Sequence, residues 1–126
     1  MMLGRRKMKA IFRTFATIAA LATNAAAAEN ADHSANYFLP SCKNFINGDF
    51  GKAPFDQGHC VGLIEGISVF ANQLPTWSWR ACVPDDVTVH QVTTVVVRWL
   101  EARPQLGHRN FKALALQALS ETWPCK

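Results

Sequence analysis

Four cysteines, Cys42, Cys60, Cys82 and Cys125, follow a basic and then apolar N-terminal segment that itself contains none. An even cysteine set behind an export signature constrains the fold strongly, because disulfides persist where chains are secreted and are rare where thiols are kept reduced. Arg5, Arg6, Lys7, Lys9 and Arg13 form the basic region, and Thr14 to Ala22 an apolar run too short for a stop-transfer helix. Ala26, Ala27 and Ala28 then offer a small-residue cleavage site ahead of Glu29. The sequence predicts residues 1–28 as a cleaved signal peptide, 29–35 as a flexible start of the mature chain and 36–126 as one helical domain. The expected location is the periplasm or the exterior.

The leader also carries the charge. It holds 5 of the 13 Lys and Arg residues and none of the 9 Asp and Glu residues, so its removal turns a net charge of +4 into −1. A chain of that balance has no basic footprint for nucleic acid or an acidic membrane. No second apolar run is long enough for the mature chain to insert into a bilayer. A domain of this size buries a modest share of its surface and gains from cross-links.

Two disulfides account for the four cysteines. A metal site is disfavoured, since there is no C-x-x-C and His33, His59, His90 and His108 lack paired ligand spacing. A nucleophilic thiol must be free, and an even set leaves none over. The sequence therefore implies no metal and no cofactor.

Four amphipathic stretches follow. Tyr37, Phe38, Leu39, Cys42, Phe45 and Ile46 recur at helical spacing, with Ser34 placed to cap and Pro40 to kink. Asn47 to Pro54 is turn chemistry and predicts a surface loop. Asp56 is placed to cap a second helix whose stripe is Cys60, Leu63, Ile64, Ile67, Phe70, Ala71 and Leu74. Gly62 and Gly66 inside it cost about 2 kcal/mol together relative to alanine. Either close approach of a neighbouring helix within the domain or a tight homodimer seam would offset that cost. Thr88 and Gln91 match a capping box, with Asp85 and Asp86 close by to complement the helix end. The β-branched run after them reads as helix, because Val89, Val92, Val96, Trp99 and Arg103 keep helical spacing. Phe111, Leu114, Ala115, Ala118 and Leu119 give a fourth apolar face, which Pro124 stops.

The predicted fold class is all-α, a small antiparallel four-helix array stapled by two disulfides. In such an array the fourth helix returns Cys125 to Cys82, and the end of the first helix lies near the start of the second. This predicts Cys42–Cys60 and Cys82–Cys125 over the two other pairings. In the chain-entropy account, loops of these lengths contribute roughly 3 and 4 kcal/mol.

Cys60-Val-Gly-Leu-Ile-Glu-Gly66, Cys82-Val-Pro-Asp-Asp, Val95-Val-Val-Arg-Trp-Leu with Arg103-Pro104, and Ala118-Leu-Ser-Glu-Thr-Trp-Pro-Cys125 together resemble the Rap/Tai type VI amidase immunity domain. The resemblance spans Asn36 to Cys125, so that 36–126 is expected to be a Rap/Tai-like domain. It implies a helical periplasmic protein, often dimeric, that binds and blocks cell-wall amidases delivered by type VI secretion. The matched positions specify scaffold, and scaffold alone does not fix function.

The candidate contact residues are accordingly sought in loops. Trp77, Trp79 and Arg80 lie in an irregular connection, the tryptophans either folded onto the core or exposed as interface anchors. Gln105 and His108 mark a second patch. The expected partner is a peptidoglycan amidase effector, alongside a second copy of the chain. The competing reading is a periplasmic stress or chaperone-like helical protein with no amidase partner, switched by its histidines. Glu65 and the Asp85, Asp86 pair are the only hints of acid–base chemistry, and capping and solvation account for them, so the chain is not expected to be an enzyme.

Overall fold

Side chains that satisfy orphan backbone N–H groups mark three of the four helix starts. In the computed structural model, which describes residues 32–75 and 79–126, Ser34 accepts from the Tyr37 N–H at the head of α1 (Ala35–Ile46). Thr88 and Gln91 form the reciprocal capping box of α3 (Val89–Glu101), with Thr88 N–H to Gln91 Oε1 at 2.8 Å and Gln91 N–H to Thr88 Oγ1 at 3.2 Å. Asn110 accepts from the Lys112 and Ala113 N–H groups at the head of α4 (Phe111–Thr122). A 3₁₀ turn, Pro104–Leu106, precedes it. Among the described residues there is no β-strand, only isolated bridges pairing Ser34 with Asn110 and Ala81 with Pro124.

The remaining helix, α2 (Pro54–Ala71), does not start as expected. Asp56 lies inside its first turn and does not cap it. The start is set by Pro54, whose ring holds the helical φ, and by Ala53 in the left-handed region at φ 46°. The buried Gln57 amide donates to the Asp49 carbonyl at 2.8 Å and to the Lys52 carbonyl. It thereby ties the exposed 47–53 turn to the helix, adding to the Lys52 N–H bond that closes the turn on the same Asp49 carbonyl at 3.0 Å.

The β-branched run is helical, and its hydroxyls show how. Thr93 and Thr94 each donate back to the carbonyl four residues earlier, at 2.8 and 2.7 Å. That bond lets Thr93 be fully buried beside Val92, Val96, Val97 and Leu100. The predicted face of α4 is buried at all five positions, Phe111, Leu114, Ala115, Ala118 and Leu119. Phe38 of α1 stacks on Phe111 with centroids 4.6 Å apart, so the first and last helices share one core.

Both disulfides pair as predicted, Cys42–Cys60 with Cα atoms 5.6 Å apart and Cys82–Cys125 at 5.0 Å. The first joins α1 to α2. The second joins the segment before α3 to the segment after α4, where the Cys82 N–H also donates to the Trp123 carbonyl at 2.8 Å.

A polar clasp ties the last turn of α3 to the last turn of α4. The Trp99 indole N–H donates to Glu121 Oε2 at 2.6 Å, and the Gln117 amide to Oε1 at 3.0 Å. The Arg103 guanidinium lies 4.1 Å over the Trp99 ring, 3.5 Å from the same carboxylate. The Trp99 hydrogen bond first, then Gln117 and the Arg103 charge, hold the Glu121 carboxyl below its ordinary value of 4.5. A lowered folded value places this contribution fully above the ordinary carboxyl range, and it is lost as pH falls through the folded value. Glu121→Gln keeps an acceptor for Trp99 but cannot titrate. Denaturant midpoints measured from about pH 7 to about pH 3 should therefore fall further for the parent protein than for the variant. Equal acid sensitivity would show that ionisation of Glu121 adds no stability to the clasp.

Candidate interaction surface

Trp79 is 46% exposed, which places it among the exposed tryptophans rather than those folded onto the core. Trp77 lies outside the described residues. Arg80 is half-buried, and its Nε–H donates to the Asn72 carbonyl at 3.2 Å, just past the end of α2. Its side chain thus braces the connection after α2 as well as lining it. Next to it, the Ala81 N–H donates to the Ala71 carbonyl, so the base of this connection is held against the helix it leaves.

The second predicted patch sits against a different element. Gln105 and His108 are exposed, but Gly107 between them is buried, and its carbonyl accepts from the Asn36 N–H at 2.8 Å. The Arg109 carbonyl accepts from the Ala35 N–H at 2.9 Å. This connection is bolted to the start of α1, whereas Trp79 and Arg80 stand at the end of α2.

A third surface surrounds Gly62 and Gly66, the glycines for which a homodimer seam was one of the two expectations. The outward side of α2 carries Phe55, 82% exposed, with Val69 and Phe70 at the other end, 61% and 63% exposed. Between them Gly58, Gly62 and Gly66 repeat every four residues, and nothing among the described residues comes within 4 Å of where their Cβ atoms would stand. Close approach of a neighbouring helix inside the domain is therefore not what these glycines serve. Beside them runs an open apolar groove of about 450 Å³, lined by Leu63, Ile67 and Phe70 of α2 and by Lys112, Ala113 and Leu116 of α4. Ring contacts run from Phe55 through His59 down to the buried Phe38, which in turn meets the half-exposed Tyr37. The sequence signal for it was the four-residue glycine repeat, which includes Gly58 as well as the two glycines already noted.

Glu65 and Asp85 border a separate groove of about 310 Å³, whose single lining hydroxyl, Ser68, donates to the Glu65 backbone carbonyl at 2.8 Å. His33, His59, His90 and His108 are all exposed, though the His90 ring nitrogen lies 3.1 Å from the Ile46 carbonyl at the end of α1 and the His59 ring packs edge-on against Phe38. Among the described residues no three His, Cys, Asp or Glu side chains converge as a metal site would require, and no helix is long and apolar enough to cross a membrane.

Comparison with known proteins bears on the whole of this scaffold. No curated protein and no solved structure matches the chain significantly. The sequence profile of the Rap1a immunity proteins does match, from residue 34 to residue 125. That span runs from the Ser34 cap to the cysteine of the second staple and takes in all four helices. On that match, the chain belongs to the Rap1a immunity protein family.

Proposed function

We propose that this protein is a periplasmic immunity protein that binds a peptidoglycan amidase delivered by type VI secretion and occludes its active site, with no chemistry of its own. The family match over residues 34–125 carries the reading, because it covers the complete stapled domain. The export leader and the two disulfides agree with an oxidising compartment. Occlusion calls for a rigid body with a few anchors held out to solvent, and aromatic and Arg side chains dominate such contacts. Trp79, on a connection braced by Arg80 and closed by Cys82–Cys125, has that character.

The same reading includes a homodimer, and the outward face of α2 is its seam. Phe55 and Val69 lie equally far from Gly62, as do Gly58 and Gly66. Two copies crossing antiparallel at Gly62 would set glycine against glycine and Phe55 against Val69, the self-complementarity that a two-fold interface needs. Close backbone approach would then offset the helix-propensity cost of the glycines.

Each of these statements has a direct test. The exported protein should begin at Glu29 and fractionate with the periplasm. It should inhibit the amidase encoded beside its gene in a peptidoglycan hydrolysis assay, and changing Trp77, Trp79 and Arg80 together to alanine should weaken that inhibition at least about tenfold, a loss of 1.4 kcal/mol or more. Unchanged affinity would discard that patch, and failure to bind any such amidase would discard the partner. For the seam, Gly62→Ala and Gly66→Ala meet open space within the monomer, so each should stabilise the monomer by about 1 kcal/mol. Gly62→Arg should convert the dimer to monomer by light scattering with helix content unchanged, and a persistent dimer would place the seam elsewhere.

A further inference from the structure

The two disulfides occupy opposite environments. Cys42 and Cys60 are both fully buried in the core, next in the cluster to Phe38 and Ile64. Cys82 and Cys125 are both partly exposed, and Cys125 lies between exposed Pro124 and Lys126. Thiol–disulfide exchange requires a thiolate to reach a sulfur, so access decides which bond reacts. For Cys42–Cys60 an attacking thiolate must wait for the core to open, whereas Cys82–Cys125 can be attacked in the folded protein.

We infer that Cys82–Cys125 is a reductant-sensitive site, a modification point at which a dithiol opens the connection that carries Trp79 and Arg80 while the helical core stays closed. The exchange balances. One thiolate of the dithiol bonds to a sulfur of the pair and expels the other cysteine as a thiolate, which takes a proton. The second thiolate of the dithiol then displaces the remaining cysteine, leaving two cysteine thiols and the reductant as its cyclic disulfide.

What the bond holds is read from its surroundings. Its neighbours across the join are the Cys82 N–H bond to the Trp123 carbonyl and the bridge of Ala81 with Pro124. The Ala81 N–H to Ala71 carbonyl bond, at 3.3 Å, and the Arg80 bond to Asn72 tie the same stretch to the end of α2. These are backbone and surface hydrogen bonds, each adding only about 1 kcal/mol. The core instead keeps its own staple, the Phe38–Phe111 stack and the buried faces of α3 and α4. Opening Cys82–Cys125 therefore loosens the connection selectively. The consequence for a partner rests on the contact role proposed above for Trp79 and Arg80; the accessibility of the bond does not.

The test uses the full exported chain. Dithiothreitol is added at about pH 8, where a dithiol is partly thiolate, samples are quenched with acid, free thiols are alkylated, and labelled peptides are mapped by mass spectrometry. Cys82 and Cys125 should acquire label at least about tenfold faster than Cys42 and Cys60, with helical circular dichroism retained in the half-reduced species. Simultaneous labelling of all four cysteines, earlier labelling of Cys42 and Cys60, or loss of helix at the first opening would overturn the inference. Amidase binding is then measured on the oxidised and the half-reduced protein. Weaker binding after opening supports the coupling, and equal binding removes it while the labelling order stands. A chain that binds no amidase even when oxidised would sink the functional proposal alone.

Discussion

Cys42 and Cys60 meet in the interior, and the bond between them closes a segment of 18 residues around the join of α1 and α2. The positions of the other elements follow from that join. It fixes α1 where Phe38 can stack on Phe111, and it brings Ile64 of α2 into the same cluster as Val96 and Leu119. A domain of fewer than a hundred residues buries too little surface to leave such placement to apolar contact alone. The turn within the closed segment is held as well, since the Gln57 amide donates to the Asp49 and Lys52 carbonyls. No buried side-chain nitrogen or oxygen among the described residues lacks a partner. The core is consistent with a single packing arrangement rather than a loose collapse.

The outside of the molecule is organised differently. The ion pair between Lys43 and Glu101, at 2.7 Å, joins half-exposed side chains and contributes little to stability. Larger exposed apolar surface is concentrated on α2, where Phe55, Val69 and Phe70 frame three glycines facing open space. A helix that spends three glycines on its solvent side loses stability in isolation. That face therefore differs from an ordinary solvated helix surface, and it stands on a different element from the connection that carries Gln105 and His108. A two-fold pairing through α2 would leave those residues available to another partner. The molecule is thus a stapled interior with separate exposed surfaces.

Much of the fold was legible because local rules and global packing agree in this chain. The Thr88–Gln91 box, the face of α4 and the Pro124 stop each rest on a few adjacent residues, and each is found where expected. The start of α2 was not legible in the same way. Asp56 had the right chemistry for a cap, but Pro54 and the left-handed Ala53 began the helix three residues earlier. The direction in which Gly62 and Gly66 face could not be read either, since spacing assigns residues to a common stripe without saying what lies opposite. The Trp99–Glu121 clasp was likewise invisible, because its partners are 22 residues apart and meet only where the last turns of α3 and α4 touch.

The sequence by itself determined the helices, the pairing of the cysteines and the family, since these depend on residue type, order and spacing along the chain. Only the tertiary structure decided which surfaces are open. It turned the glycine face of α2 outward, left Trp79 half in solvent, and buried one disulfide while leaving the other within reach of water. The physical reason is that exposure belongs to no residue alone: it is whatever area remains after every other segment has packed, and no local pattern encodes that remainder.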